Sequence, residues 1–307
     1  MVARKLRLQG AIDALAMWTE DLRLREPVPF VAADGAPLDC FGPLPPLPPP
    51  PRGPHWEAPS PRPTARDPRL RVEVTPPLGP RRGTAVLVPP WKLPRLSLVD
   101  GWIAAVTASG HEVWTLIPPL HLDRAPPGLR SGEAFVTANV PALRAGVEQL
   151  VLEIRVLLAL ARDRGQAVAL VGLSLGGLGA ALAATAPEAP DRAALIAPPA
   201  DLHAVMNETR IGRRLLPALR GGERAAPPAP ELLAMLRPFA ADARPPRAGR
   251  VLIAVGNGDR IALPGPAAAL ARSWGAELRT YPRAHLTLLF LCRSVRRDLT
   301  AFLSASR

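Results

Sequence analysis

Ser174 lies in the run Gly172-Leu173-Ser174-Leu175-Gly176, with apolar residues before it and an alanine-rich stretch after it. A serine alcohol becomes a nucleophile when a base takes its proton and an acid orients that base. Residues for both roles follow in the chain. Asp259 closes "VLIAVGNGD", and His285 lies in "YPRAHLTLLF". The glycines around Ser174 could instead cradle a phosphate. A dinucleotide site needs Gly-x-Gly-x-x-Gly directly after a strand. Here Gly177-Leu178-Gly179 is followed by Ala180, Ala181 and Leu182, and no lysine follows for a phosphate loop. Nucleotide binding, or a non-catalytic scaffold using this turn, stands as the alternative to hydrolysis.

The three residues matter only if folding brings them together. From Arg71 onward the sequence alternates apolar runs with amphipathic ones. "RVEV" (Arg71–Val74) is expected as an edge strand. "TAVLVPP", "HEVWTLIPP", "VALVGLS", "AALIAPP", "VLIAV" and "AELRTY" read as further strands. Helices are expected over 96–109, 142–164, 175–186, 264–274 and 286–304. In 142–164, Leu143, Val147, Leu150, Ile154, Leu157 and Leu158 share an apolar face, with Arg144, Glu148, Arg155 and Arg162 towards the other. Strands alternating with such helices give an α/β fold, a mostly parallel sheet with helices on both faces. Ligands gather at the carboxyl ends of its strands. Ser174, Asp259 and His285 each follow a strand. Gly172 and Gly176 remove bulk beside a sharp strand-to-helix turn, and Gly177 and Gly179 are expected to let the helix approach the sheet. The Leu175 N–H would then sit at a helix N-terminus, where it can stabilise an oxyanion. Asp201, after another strand, is the rival acid. His121 and Glu133 follow "VWTLIPP"; they line the pocket or fix the long loop there by hydrogen bonds.

The order of these residues and their strand-end contexts resemble the α/β-hydrolase superfamily, over about Arg71 to the C-terminus. A narrower likeness runs through "PPLHLDRAPPGLRSGEAF", "VGLSLGGLGAAL", "DLHAVMNETRIGRRL", "GNGD" and "PRAHLTLLF". It resembles bacterial relatives of the branch that includes alpha/beta-hydrolase domain-containing protein 18, in which Ser-Gly-Glu, here Ser131 to Glu133, is typical. The resemblance implies that Ser174, Asp259 and His285 are nucleophile, acid and base of an acyl hydrolase. Relatives often carry His-Gly where the oxyanion loop leaves the third strand. This chain has Pro89-Pro90, which offer no N–H, so the second donor falls to Trp91. A similar "VPPW" occurs in polyhydroxyalkanoate synthases, whose nucleophile is cysteine; Ser174 argues against that chemistry.

Three segments are expected: an N-terminal helical segment over 1–41, a proline-rich arm over 42–69, and the hydrolase domain over 70–307. Leu8, Ile12, Leu15 and Trp18 could share a helix face, for docking on the domain or for peripheral contact with a membrane surface. "GPLPPLPPPPRGPHW" excludes helix and central strand and favours an extended, semi-rigid arm. A small helical lid is expected over about 201–245, where Met206, Ile211, Leu215, Leu216, Leu232 and Leu236 could roof an acyl chain. The substrate is then a small-molecule ester or lipid. The net charge of +12 is nearly all arginine, Lys5 and Lys92 being the only lysines. The arginines are scattered without an aromatic-rich basic cluster, so no nucleic-acid partner is expected. Cys40 and Cys292 are the only cysteines, and no signal peptide is read at the start, so a cytoplasmic setting is expected. No metal or organic cofactor is implied.

Overall fold

The computed structural model describes residues 31–64, 66–137, 139–209 and 229–305, together with residues 11 and 212. The expected N-terminal helix around Leu8, Ile12, Leu15 and Trp18 lies outside the described residues, as do Ile211, Arg213, Arg214, Leu215 and Leu216 of the expected lid.

The strands are β1 (His55–Thr64), β2 (Asp67–Thr75), β3 (Gly83–Val88), β4 (His111–Ile117), β5 (Ala167–Leu173), β6 (Arg192–Ile196), β7 (Arg250–Gly256) and β8 (Glu277–Tyr281). They form one sheet in the order β1-β2-β4-β3-β5-β6-β7-β8. The pairs β1/β2 and β2/β4 are antiparallel, and every other pair is parallel. The helices are α1 (Asp100–Thr107), α2 (Val140–Arg162), α3 (Leu175–Ala183), α4 (Leu202–Glu208), α5 (Ala229–Leu236), α6 (Pro264–Trp274) and α7 (Arg293–Ser304). Period-two alternation gives the sheet two apolar faces. In β5, Ala169, Val171 and Leu173 join a core with Trp102 of α1 and Leu299 of α7. Val168 and Leu170 join the other core, with Leu150 and Ile154 of α2 and Leu270 of α6. Among the described residues no helix is long and apolar enough to cross a membrane.

Three expectations are corrected. Arg71–Val74 is not at the edge, because β2 pairs with β1 on one side and β4 on the other. The edge is β1, inside the proline-rich stretch. An edge strand leaves one row of N–H groups unpaired, and Pro59, Pro61 and Pro63 fall on alternate residues, where their missing donors share one side. Second, the polar side of α2 is not all solvent-facing. Glu148 and Arg155 are buried, since the chain around residues 39–42 lies along the helix. Glu148 Oε1 accepts from Asp39 N–H at 2.7 Å, and Arg155 donates to the carbonyls of Cys40 at 2.6 Å and Gly42 at 2.9 Å. Third, the helix expected over 286–304 is broken. Thr287–Leu291 forms a wide π-type turn, Cys292 is extended, and α7 then begins.

A buried charge cluster ties the hairpin to α2 and to the loop after β4. Arg124 donates to Asp67 at 3.0 and 3.1 Å, to both oxygens of Glu153 at 2.8 Å, and to Ile117 C=O at 2.6 Å. Ser60 and Gln149 also donate to Glu153. Removing one partner of such a cluster strands the others without solvent. Arg124→Met leaves two buried carboxylates facing each other and is expected to cost about 3–5 kcal/mol, read from urea midpoints. A loss below about 1 kcal/mol would show that the cluster does not hold the loop.

Candidate active site

Ser174 occupies the turn between β5 and α3 with φ 52° and ψ −115°. A non-glycine residue in such a conformation costs on the order of 1–3 kcal/mol. The surroundings impose it. Ser174 N–H donates to Ile196 C=O of β6 at 2.8 Å. A Cβ on Gly172 would stand 2.3 Å from Gly176 O, and one on Gly176 would stand 2.1 Å from Val88 O. The first turn of α3 therefore presses on the ends of β5 and β3, and the hydroxyl is carried up off the sheet edge. Gly177 lies against Gly172 O of β5 and against Pro198 after β6, as the expected approach to the sheet requires, whereas Gly179 makes room for Leu150 and Ile154 of α2.

The structure brings Ser174, His285 and Asp259 together. Ser174 Oγ is 2.9 Å from His285 Nε2, and His285 Nδ1 is 2.6 Å from Asp259 Oδ2. Asp259 Oδ1 accepts from the N–H groups of Ile261 at 2.8 Å and Ala262 at 2.9 Å. Both Asp259 and His285 are buried. The carboxylate can only accept from Nδ1–H, which leaves the Nε2 lone pair for the serine proton. An imidazole so held can take that proton and return it to a leaving group. The loops that carry Asp259 and His285 are tied to each other. Gly258 N–H donates to Arg283 C=O at 3.0 Å, and a Cβ on Gly256 would stand 2.4 Å from the same oxygen. Thr287 Oγ1 accepts from Ala284 N–H at 3.0 Å and fixes the turn that carries His285. Asp201 is elsewhere: it caps α4, accepting from Ala204 N–H at 3.1 Å.

A cavity of about 290 Å³ opens beside Ser174 and His285. Leu143, Val147 and Leu178 form one wall, Leu202, Val205 and Met206 a second, and Leu286, Leu289 and Phe290 a third. Trp91 and Leu175 also line it. Apart from His285, the only ionisable side chain in the described lining is Lys92. Trp91 is the first residue after β3 and Pro90 with an N–H to offer, and its indole Nε1–H donates to Gly132 C=O at 2.7 Å. Among the described residues no cluster of three or more His, Cys, Asp or Glu is placed to hold a metal.

His121 and Glu133 do not line this cavity. Glu133 accepts from Arg130 N–H at 2.9 Å within its own turn. His121 is fully buried, with Nδ1–H donating to Pro119 C=O at 2.8 Å and its ring against Phe135. Sequence reasoning missed Ser131, Gly132 and Thr287 as residues that shape the site. The Ser-Gly pair beside Glu133 and the Thr two places after His285 were the available signals.

No protein-family model and no curated protein sequence matches this chain. Solved structures do. An acetyl xylan esterase from Paenibacillus sp. R4 is 15% identical, over 76% of this chain and 80% of that one, with a TM-score of 0.56. Acetyl xylan esterase 1 from Thermoanaerobacterium sp. JW/SL YS485 is also 15% identical, over 77% and 78%, with a TM-score of 0.56. A soluble variant of monoglyceride lipase from Saccharomyces cerevisiae, bound to a substrate analogue, is 15% identical over 78% and 92%, with a TM-score of 0.53. This is the α/β-hydrolase fold.

His121 also sets a pH dependence. Burial, with Arg124 nearby, pushes its pKa down from 6.5 to about 4. The folded state thus holds this ring neutral where the unfolded chain protonates it. Its contribution is complete above about pH 6.5 and is lost as pH falls towards 4, worth on the order of 3 kcal/mol. His121→Asn is expected to flatten the fall of the urea midpoint between pH 6.5 and 4.5. An unchanged slope would show that the ring is not held neutral.

Proposed function

We propose that the protein is a serine hydrolase that cleaves carboxylic esters with an apolar acyl chain. The observation that carries this is the Ser174–His285–Asp259 relay, at 2.9 and 2.6 Å, opening into an apolar cavity. The three residues act as nucleophile, base and acid. Ser174 Oγ attacks the carbonyl carbon while His285 Nε2 takes its proton. The tetrahedral oxyanion is held by the N–H groups of Leu175 and Trp91. Collapse expels the alcohol, which receives the proton from His285 and leaves an acyl group on Ser174. Water, deprotonated by the same histidine, then attacks the acyl-enzyme and restores the serine. The motif run through Ser131 to Glu133 and "PRAHLTLLF" supports a place among bacterial relatives of the alpha/beta-hydrolase domain-containing protein 18 branch.

The similar structures are named as esterases and a lipase, which agrees with ester chemistry. Their names point to acetyl groups on one side and glycerides on the other. The walls here favour the longer chain. All three are apolar, and α4, in the expected lid, supplies Val205 and Met206.

A fluorophosphonate probe is expected to label Ser174, and Ser174→Ala to abolish both labelling and hydrolysis. Asp259→Asn is expected to lower kcat by about 10³–10⁴-fold, while Asp201→Asn, which keeps a capping oxygen, stays within a few-fold. Folded wild-type protein that resists the probe, or the reverse ranking of the two aspartates, would overturn the assignment. Chain length gives a separate test with p-nitrophenyl esters from acetate to dodecanoate. Each buried methylene is worth about 0.8 kcal/mol, so four more carbons could gain up to about 3 kcal/mol, roughly a hundredfold. Ordering of the insertion after β6 offsets part of this, so a rise in kcat/KM of about tenfold towards medium chains is expected. A sharp maximum at acetate would sink the acyl-chain reading.

A further inference from the structure

The connection from β4 to α2 folds back onto the bend that follows β3. Ser131 Oγ donates to Leu93 C=O at 2.6 Å and accepts from Leu122 N–H at 3.0 Å. The next residue, Gly132, accepts the Trp91 indole N–H at 2.7 Å and donates its own N–H to Leu120 C=O at 2.9 Å. Two neighbouring residues of one loop thus grip Trp91 and Leu93 from the same side. Neither Ser131 nor Gly132 lines the cavity.

Backbone strain brackets this contact. Lys92, between the two gripped residues, has φ 54°, and Leu120 and Leu122 have φ 63° and 51°. Each left-handed non-glycine residue costs about 1–2 kcal/mol, so none of these bends would persist unless the contacts around it imposed it. Gly132 has φ 68°, and a Cβ there would stand 2.3 Å from Nε2 of the buried His121 ring. The loop is fixed in turn at Arg124, which anchors it to Asp67 and Glu153.

We infer that Ser131 and Gly132 are positioning residues. They clamp the bend over 91–93 so that the Trp91 main-chain N–H stays aimed at the carbonyl oxygen of a substrate on Ser174. This rests on the hydrolase reading above. The need for a clamp follows from the sequence of the bend. Pro89 and Pro90 have no N–H, so this side of the site has one donor at its start. A donor that wanders by half an ångström loses much of its effect on the transition state while leaving ground-state binding intact. Ser131 is suited to the task because one hydroxyl can donate and accept at once.

The test compares Ser131→Ala and Ser131→Thr with wild type. Three measurements are made: kcat and KM on p-nitrophenyl hexanoate, inhibition by an alkyl trifluoromethyl ketone, and hydrogen exchange over residues 88–95. Ser131→Ala is expected to lower kcat by about 10–100-fold, part of the 10²–10³ that an oxyanion donor supplies. KM should stay within about threefold, since the transition state alone loses the contact. The ketone, which forms an oxyanion on the serine, should weaken in step with kcat. Exchange should rise over 88–95 and not over 171–178, and Ser131→Thr should restore all three. Unchanged kcat, or a raised KM with kcat kept, would overturn the positioning role. If Ser131→Ala does not fold, Trp91→Phe, which loses the indole bond to Gly132 and keeps the main-chain N–H, is read by kcat and exchange in the same way. Wild-type protein inert to esters and to fluorophosphonate overturns the hydrolase reading instead. The clamp is then judged by exchange alone, and unchanged protection over 88–95 in the variant refutes it.

Discussion

Where the first turn of α3 meets the end of β3 there is no room for a side chain. A Cβ on Gly176 would stand 2.1 Å from Val88 O and 2.7 Å from Pro89 O. Much of the site follows from that approach. A helix that starts so close to the strand ends can be entered only through a sharp turn, and the turn puts Ser174 at positive φ. The hydroxyl then leaves the sheet edge instead of packing beneath it. The same approach brings the N-terminus of α3, with its unpaired N–H groups, beside the bend that carries Trp91. Ser174 and the two N–H groups proposed as oxyanion donors are therefore set by one contact. Its strain is offset by burial around it, since Leu87, Val88, Leu170 and Leu173 are fully covered.

The remaining members of the relay reach Ser174 through loops that are bound to each other. Gly256 and Gly258 lie against Arg283, so the loop after β7 that carries Asp259 and the loop after β8 that carries His285 are held to each other. Asp259 has one oxygen committed to two main-chain N–H groups, leaving the other for His285. That division removes the freedom the carboxylate would need to rotate away. On the opposite side of the cavity the loop after β4 does the equivalent for Trp91, with Arg124 as its anchor. The arrangement around Ser174 is thus held by pairs of loops, each tied by main-chain groups.

The fold was legible because its strands are short, apolar and separated by clear turn signals. The order of Ser174, Asp259 and His285 was legible because each follows such a strand. What the sequence hid has one physical character. Local periodicity reports which face of an element is apolar, but not what else in the chain will cover its polar side. Glu148 and Arg155 read as the side of the helix away from its apolar face, yet a segment more than a hundred residues away buries them. β1 was hidden by its prolines, which are tolerated only because it lies at the edge. Ser131 was hidden because its partner, Leu93, is a main-chain carbonyl, and any residue type offers one. His121 had two readings, and the structure puts it in the loop rather than the cavity.

The arginine and proline content, unremarkable as two separate biases, makes physical sense together. Each of the 40 prolines removes an N–H but keeps its carbonyl, so the chain carries more main-chain acceptors than donors. Arginine supplies five N–H donors on one planar group. In this fold that is how many arginines are used. Arg144 donates to the carbonyl of Ala36, Arg155 to those of Cys40 and Gly42, and Arg164 to that of Pro51. Together they fasten the chain between Ala36 and Pro51 along α2 and its C-terminal end. Arg162 and Arg192 close the carbonyls of Ala189 and of the chain end at Leu303 and Ala305 in the same way. Arg155 meanwhile keeps a two-pronged contact with Glu188 at 2.8 and 3.1 Å. Arg155 thus makes four hydrogen bonds from one buried position, one more than the three donors of a lysine ammonium allow. Part of the positive charge is thus committed to holding main-chain oxygens.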